Sequence, residues 1–206
     1  MKKIRVLIAD DHEIVRMGLA SLLGTKKDIE VVGEAEDGEA AVRKAVKLAP
    51  DVVIMDLMMP KKDGVAATVE IRRRLPSAKI MILTSYGTSD GIAHALSAGA
   101  SGALMKSTEF SEFVAAIRTI AAGGQVVAPE IKRQFAKDPP VPDLTQRQHD
   151  IMKSIVSGLT TADVAKQFGI REDSVKEHMT AIFAKLGAAN RAEAIAIAMR
   201  KHLLKT

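Results

Sequence analysis

The stretch PDVVIMDLMMPKKDG, residues 50–64, indicates the fold class of the first part of the chain. Its apolar run, residues 52–55, is short and rich in β-branched side chains, as is typical of a strand buried on both faces of a parallel sheet. Asp56 follows at once, although a carboxylate is costly to bury without a partner. We therefore expect Asp56 at the carboxyl end of a core strand, the edge at which open α/β sheets bind ligands. Taken alone, the stretch also fits an aspartate that only caps a turn.

Strand and helix patterns alternate on both sides of this stretch. The helical segments carry apolar residues at three- and four-residue spacing, and most of them end at Gly or Pro. The predicted strands are 4–9, 29–35, 51–55, 79–85 and 101–106, and the predicted helices are 13–24, 38–49, 65–75, 90–100 and 112–124. Five strands that alternate with five helices predict an α/β domain over residues 1–124, with a parallel, doubly wound, flavodoxin-like sheet.

The pattern changes after residue 124. Three of the seven prolines fall within 139–142, and we predict a linker over 125–142. From 143 to 206 the periodic segments are all helical, which predicts a second, all-α domain of four helices. Thr145, with Gln148 three residues later, has the pattern of a capping box that begins the first of them.

Composition excludes several classes of protein. The chain of 206 residues is long enough for two domains, and its lack of Cys excludes a disulfide scaffold, a thiolate zinc site and a thiol nucleophile. Aromatic residues are only 3%, which disfavours stacking on single-stranded nucleic acid. Residues 1–125 carry 17 basic and 16 acidic side chains, whereas 126–206 carry 13 and 9. The positive charge of the second part fits a nucleic-acid partner there.

The N-terminal segment MKKIRVLIADD has positive charges before an apolar run, as secretory signals do. Its apolar part is too short for a signal peptide, because Asp10 and Asp11 end it, and no later apolar run is long enough to cross a bilayer. We therefore expect a cytoplasmic protein with no membrane partner.

Five polar side chains lie at the predicted carboxyl ends of strands, where they would converge on one pocket. They are Asp10, Asp11, Asp56, Thr84 and Lys106. Clustered carboxylates repel one another, which favours a hard cation with oxygen ligands, and Mg²⁺ fits because it works beside phosphate oxygens. A carboxylate beside Mg²⁺ is a plausible phosphoryl acceptor, and a Lys and a Thr suit the phosphoryl oxygens. The alternative is an ion-pair network in which Lys106 only neutralises the acids.

The chain resembles a known family in several segments. IADDHEIVRMGL, DVVIMDLMMPKKDG, ILTSY and GALMKS match the receiver domain of bacterial response regulators over roughly residues 3–124. Residues 144–194 are similar to the LuxR-type helix-turn-helix, and the two parts together resemble the NarL/FixJ subfamily. The resemblance implies that Asp56 accepts phosphate from a sensor histidine kinase. It also implies that Asp10, Asp11, Asp56 and the Met58 backbone hold Mg²⁺, and that Thr84 and Lys106 carry the switch.

One departure from the family lies inside the receiver segment. Ala103 stands three residues before Lys106, where the family usually has Tyr or Phe. The resemblance therefore does not extend to the aromatic part of the usual switch.

In a helix-turn-helix the second helix enters the major groove of double-stranded DNA. Here that helix is predicted at 172–186, with Lys176, Glu177 and Thr180 on the face away from the core. Lys185 and Arg191 are predicted to contact phosphates. In relatives of this kind, two half-sites are bound together, so a homodimer formed on phosphorylation and a repeated promoter site are expected. We assign the last helix, through Ile195, Ala198 and Met199, as the candidate contact between DNA-binding domains.

Three other functions fit part of the sequence. A phosphatase with an aspartyl-phosphate intermediate would need a second Asp two residues after Asp56, where Met58 stands. A flavodoxin-like cofactor protein would need a phosphate-binding loop after the first strand, where residues 10–13 read DDHE. A constitutive DNA binder with a degenerate receiver disagrees with the complete set of acids, Thr84 and Lys106. The protein is accordingly not expected to be an enzyme, beyond self-phosphorylation and slow autodephosphorylation.

Overall fold

A computed structural model of the chain describes residues 2–85, 89–142, 144–201 and 203. The chain divides into two compact units, and the division falls between Pro139 and Pro140. Tyr86, part of one segment that resembles the receiver family, lies outside the described residues.

The first unit is built on a parallel sheet, as predicted. Its strands are β1 Ile4–Ala9, β2 Ile29–Ala35, β3 Val52–Met55, β4 Lys79–Thr84, β5 Gly102–Met105 and β6 Val126–Val127. They lie in the order β2-β1-β3-β4-β5-β6, and each neighbouring pair is parallel. The side chains of β3 are all buried, because helices cover both faces of the sheet.

Six helices belong to the first unit in the described part of the chain. They are α1 Glu13–Gly24, α2 Gly38–Leu48, α3 Gly64–Arg74, α4 Ser89–Ser97, α5 Phe110–Ala121 and α6 Pro129–Lys137. Asp37 begins α2 by accepting a hydrogen bond from the Ala40 N–H at 2.7 Å, and Asp63 begins α3 in the same way through Ala66. These side-chain caps fix where the chain leaves β2 and the segment after β3.

The linker predicted over 125–142 is corrected by β6 and α6. The N–H of Ala128 donates to the carbonyl of Ala103 at 3.0 Å, and Ile131 is 0% exposed in the core of the first unit. Pro129 opens α6, a position that tolerates proline because its missing N–H is not needed there. A two-residue strand and a nine-residue helix are too short to give a clear periodic pattern of apolar residues. The prolines that follow them were therefore the stronger signal, and they indicate a linker. The first unit consequently extends to Pro139 rather than ending at residue 124.

The second unit is all-α, with four helices in the described residues, as predicted. They are α7 Gln146–Val156, α8 Thr161–Phe168, α9 Glu172–Leu186 and α10 Arg191–Arg200. The capping box of Thr145 and Gln148 is present, and Thr160 with Asp163 forms a second one at the start of α8. Buried side chains from all four helices, including Ile151, Val164, Ile182 and Ala194, make one core. The last helix, α10, ends at Arg200; residues 202 and 204–206 lie outside the described ranges.

None of the helices in the described ranges combines the length and the apolar character that a bilayer-spanning segment needs.

Candidate functional site

The carboxyl ends of four neighbouring strands bring the predicted pocket together. Asp10 follows β1, Asp56 follows β3, Thr84 ends β4 and Lys106 follows β5. The Lys106 Nζ lies 2.6 Å from Asp10 Oδ2 and 3.5 Å from Asp56 Oδ2. Asp10, Asp56 and Thr84 are buried, so one ammonium group bridges two acids with little access to water. The convergence expected from the sequence is therefore present, and Asp11 lies at its exposed rim.

The pocket has the donor set of a cation site. One ligand atom from each of Asp10, Asp11, His12 and Asp56 lies within 4.8 Å of the others. Carboxylate oxygens are what hard divalent cations prefer, and Lys106 alone does not balance three acids. The residues therefore fit a metal ion, as expected from their clustering.

His12 was not predicted as a member of this cluster. Its Nδ1 lies 2.7 Å from Asp11 Oδ1 and 3.3 Å from Asp10 Oδ1. Its backbone N–H donates to Asp10 Oδ1 at 2.9 Å. His12 follows the two aspartates directly in the sequence, but it has no second histidine at short spacing to indicate a metal site.

Asp56 has the electrostatics of a reactive group. Burial raises the pKa of Asp56 to about 6, and repulsion from Asp10 acts in the same direction. Attraction to Lys106 lowers the pKa but does not offset these effects. The Leu57 N–H donates to Asp56 Oδ1 at 2.9 Å and holds the carboxylate in one orientation. At neutral pH the group is mostly ionised but poorly solvated, and such a carboxylate is a good nucleophile candidate.

The segment between β3 and α3 follows Asp56 directly in the chain. Met58 lies in this segment, two residues after Asp56, with its side chain exposed. Lys61 has a positive φ of 63° and places its Nζ 2.6 Å from Asp37 Oδ2, while Lys62 pairs with Glu70 of α3. The backbone that carries Met58 is thus tied to both α2 and α3.

The second unit contains the helix pair expected of a helix-turn-helix. In α9, the side chains of Val175, Met179, Ile182 and Leu186 are buried against the other helices. Lys176, Glu177 and Thr180 are exposed on the opposite side. The predicted division of this helix into a core face and a free face is therefore present.

The exposed residues of α9 differ in how they are held. Lys176 Nζ lies 3.0 Å from Asp173 Oδ1, and this pairing raises the pKa of Lys176. The Thr180 hydroxyl donates to the Lys176 carbonyl at 3.0 Å. Glu177 has no ion pair within 4 Å among the described residues, so its carboxylate is available to a ligand.

Lys185 and Arg191 take part in contacts inside the second unit that the sequence did not predict. Lys185 Nζ donates to Gln148 Oε1 at 2.9 Å and so links α9 to the start of α7. Arg191 donates to the carbonyl of Leu159, in the connection between α7 and α8. Both side chains are half-buried, so they contribute to packing within the second unit. The phosphate contacts predicted for them would be a second role.

Comparison with known proteins gives the same division into two parts. Residues 6–118 match the response regulator receiver domain, and residues 142–198 match the bacterial regulatory proteins of the luxR family. Transcriptional regulatory protein LiaR of Bacillus subtilis (strain 168) is 40% identical over 210 residues, which cover 98% of this chain and 99% of LiaR.

Two solved structures resemble the chain over nearly its whole length. Response regulator ChrA of a heme-sensing two-component system is 34% identical, with a TM-score of 0.60 and coverage of 98% of this chain and 100% of ChrA. RcsB from Salmonella enterica serovar Typhimurium, bound to promoter rprA in the presence of phosphomimetic BeF₃⁻, is 25% identical. Its TM-score is 0.67, with coverage of 95% of this chain and 98% of RcsB.

These matches bear on two of the alternative functions considered from the sequence. A receiver domain joined to a luxR-family domain is the organisation of a transcription regulator, not of a phosphatase or a flavodoxin-like cofactor protein. The chain belongs to the two-component response regulators of the NarL/FixJ type, which are transcription regulators with a LuxR-type DNA-binding domain.

Proposed function

We propose that Asp56 accepts a phosphoryl group from a sensor histidine kinase and that this modification controls DNA binding by the second unit. The observation that carries the proposal is the environment of Asp56. Its side chain is buried, Lys106 Nζ lies 3.5 Å from it, and the carboxylates of Asp10 and Asp11 are beside it. An aspartate that only caps a turn has no need of these neighbours.

Mg²⁺ is the proposed cofactor. The carboxylates of Asp10, Asp11 and Asp56 and the backbone carbonyl of Met58 would hold it, because an all-oxygen set suits this hard cation. When bound, Mg²⁺ neutralises charge on the phosphoryl oxygens during transfer. The donor set carries this assignment, since three carboxylates within reach of one another face a single ammonium group.

In the transfer itself, a carboxylate oxygen of Asp56 forms a bond to phosphorus as the bond from phosphorus to the donor's imidazole nitrogen breaks. The freed imidazole nitrogen then takes a proton from solvent. Lys106, which bridges Asp10 and Asp56 before transfer, would bind a phosphoryl oxygen. Thr84, at the end of β4, would donate its hydroxyl to another. Their movement toward the phosphoryl group would couple the modification to β4 and β5.

The DNA side of the proposal concerns α9. We assign Lys176, Glu177 and Thr180 to the base-reading face and Lys176, Lys185 and Arg191 to phosphate contacts on double-stranded promoter repeats. A single helix-turn-helix makes few base contacts, so a homodimer formed on phosphorylation would supply the second half-site. The cytoplasm is the proposed location, because both the kinase output and the DNA are found there.

The candidate dimer surface on α10 is smaller than the sequence indicated. Ala198 is fully buried in the second unit and Ile195 is half-buried, whereas Met199 is 61% exposed. Met199 is therefore the main apolar group that α10 offers to a second copy. Sedimentation with and without beryllofluoride measures whether the phosphorylated state dimerises more strongly.

Labelling with acetyl phosphate tests the assignment of Asp56. We expect stable phosphoryl incorporation into the wild-type chain with Mg²⁺, and its loss in Asp56→Asn or after addition of a chelator. Asp63→Asn is the matched control, because it changes an aspartate of the same segment that caps α3, and Asn keeps an oxygen that can accept the Ala66 N–H. Full labelling of the Asp56→Asn protein would refute the assignment.

A further inference from the structure

The segment from Leu57 to Asp63, between β3 and α3, is held at both ends by its own backbone and side chains. The Leu57 N–H donates to Asp56 Oδ1, and the Gly64 N–H donates to the Leu57 carbonyl at 2.9 Å. Leu57 and Met59 are buried in the core, so alternate residues anchor the segment. Met58, between them, turns its side chain to solvent.

Lys61 is the one non-glycine residue of this segment with a positive φ, 63°. Side chains with a Cβ are disfavoured in this region, so such a residue persists only where its surroundings hold it. The Lys61 ammonium reaches α2, where its Nζ lies 2.6 Å from Asp37 Oδ2. The ion pair with Asp37 therefore stabilises Lys61 in this backbone conformation.

Asp37 is suited to anchor this contact because it is itself immobile. Its side chain is 1% exposed and also accepts the Ala40 N–H at 2.7 Å as the cap of α2. The hydrogen bond from Lys61 lowers the pKa of Asp37, so the carboxylate stays ionised. The buried acid belongs to a fixed helix start, whereas Lys61 belongs to the connection beside the pocket.

The backbones also meet at this place. A Cβ at Gly38 would overlap the carbonyl oxygen of Lys62, so the start of α2 and the segment are in direct contact only because residue 38 is glycine. Two independent features, an ion pair and a close backbone approach, therefore fix the segment against α2.

We propose that the Lys61–Asp37 ion pair is a clamp that positions the Met58 carbonyl for metal binding in the Asp56 pocket. The inference rests on the proposed function, in which that carbonyl is a metal ligand. Lys61 and Asp37 are positioning residues, because they act through the segment rather than on the metal or the phosphoryl group. The order along the chain supports this role: Asp56, Met58 and Lys61 lie within six residues, and both ends of that stretch are fixed.

Breaking the clamp should weaken metal binding, since partners that orient metal ligands typically contribute 10–100-fold to affinity. Calorimetric titration of the full chain with Mg²⁺ alone gives the dissociation constant, with urea unfolding of each variant in parallel. We expect Lys61→Met and Asp37→Asn each to raise the Mg²⁺ dissociation constant about tenfold. Asn keeps the cap of α2, so this variant removes the ion pair and not the helix start. The double variant should be no worse than either single one, because both remove the same contact.

Three further variants separate positioning from general stability. Lys61→Arg should bind Mg²⁺ nearly as the wild type does, because it keeps the charge. Lys61→Gly removes the clamp but relieves the positive φ, so its unfolding midpoint should be retained or raised while its Mg²⁺ affinity falls. Arg118→Met breaks a comparable ion pair with Asp28 on another part of the unit and should leave Mg²⁺ affinity unchanged.

Two results would overturn the inference, and they are distinguishable. If the wild type binds Mg²⁺ and accepts phosphate while Lys61→Met and Asp37→Asn stay within twofold of it, the clamp is refuted and the proposed function stands. If the wild type itself binds no Mg²⁺, the metal site and the clamp both fail.

Discussion

At the scale of single residues, two acids lie where their surroundings disfavour a negative charge: burial disfavours it in the pocket, and DNA phosphates would disfavour it on α9. Asp56 is buried with a raised pKa, and Glu177 is an acid on the face assigned to DNA. The positions of the strands in the sequence predicted which residues would meet in the pocket, because the carboxyl ends of parallel strands lie at one edge of the sheet. Spacing did not predict Lys61 or His12, since a side chain's reach across to another element depends on the three-dimensional turn and not on periodicity.

The raised pKa of Asp56 predicts a pH-dependent penalty in the metal-free protein. The folded pKa, about 6, lies above the ordinary value of 3.8, so between these pH values the folded state binds more protons than the unfolded state. Stability therefore falls as pH rises through this window. Asp56→Asn removes the titration, so the variant should be more stable than wild type at pH 7.5, and the gain should shrink toward pH 4. Urea unfolding without Mg²⁺ at both pH values measures it; Asp28→Asn, which loses an exposed ion pair, should give no such gain.

Glu177 predicts a specific change in base preference. Phosphates repel its carboxylate, so it gains by accepting a hydrogen bond from a base, and the cytosine N4 amine is the major-groove donor of a G·C pair. Glu177→Ala should relax preference at one base pair per half-site by about 1–3 kcal/mol while raising non-specific affinity. Binding-site selection on both proteins measures this. Identical sequence preferences in wild type and variant would show that Glu177 repels DNA without reading it.

At the scale of helices and strands, local chemistry predicted most boundaries. Thr145 with Gln148 and the glycines after α8 and α9 have a fixed geometry at helix ends, and the structure places them there. The sequence did not predict β6 and α6, whose short apolar patterns pack against β5, α4 and α5. Tertiary packing, which a local pattern does not contain, stabilises those two elements.

Helix α9 begins without a side-chain cap, and this predicts a stabilising substitution. Arg171 occupies the capping position with extended backbone angles, but its side chain accepts nothing from the first turn. Ser at this position would accept a free N–H of that turn, a contact that contributes about 1 kcal/mol. Arg171→Ser should therefore raise the urea midpoint of the second unit, and Arg171→Ala should not. Equal midpoints for the Ser and Ala variants would mean that the first turn of α9 is satisfied in another way.

At the scale of the whole molecule, the boundary between the two units predicts the behaviour of fragments. A fragment of residues 1–139 keeps β6 and α6, whereas one of residues 1–124 exposes the surface that Ala128 and Ile131 cover. Burial of one large aliphatic side chain contributes about 1.5–3 kcal/mol, so the shorter fragment should be less stable by at least that amount. Urea unfolding of both fragments measures the difference. Coincident unfolding curves would mean that residues 125–139 do not stabilise the first unit and that the linker begins at residue 125, as predicted from the sequence.

In the proposed function, the chemical state of Asp56 in the first unit controls DNA binding by the second. The most direct test measures the affinity of the full chain for a selected promoter repeat with and without beryllofluoride and Mg²⁺, in wild type and Asp56→Asn at fixed salt. We predict that beryllofluoride tightens binding by the wild type by about 5–150-fold, the usual range of coupling between two sites, and leaves Asp56→Asn unchanged. Equal affinity of the wild type with and without beryllofluoride, or equal tightening in Asp56→Asn, would show that Asp56 does not control DNA binding.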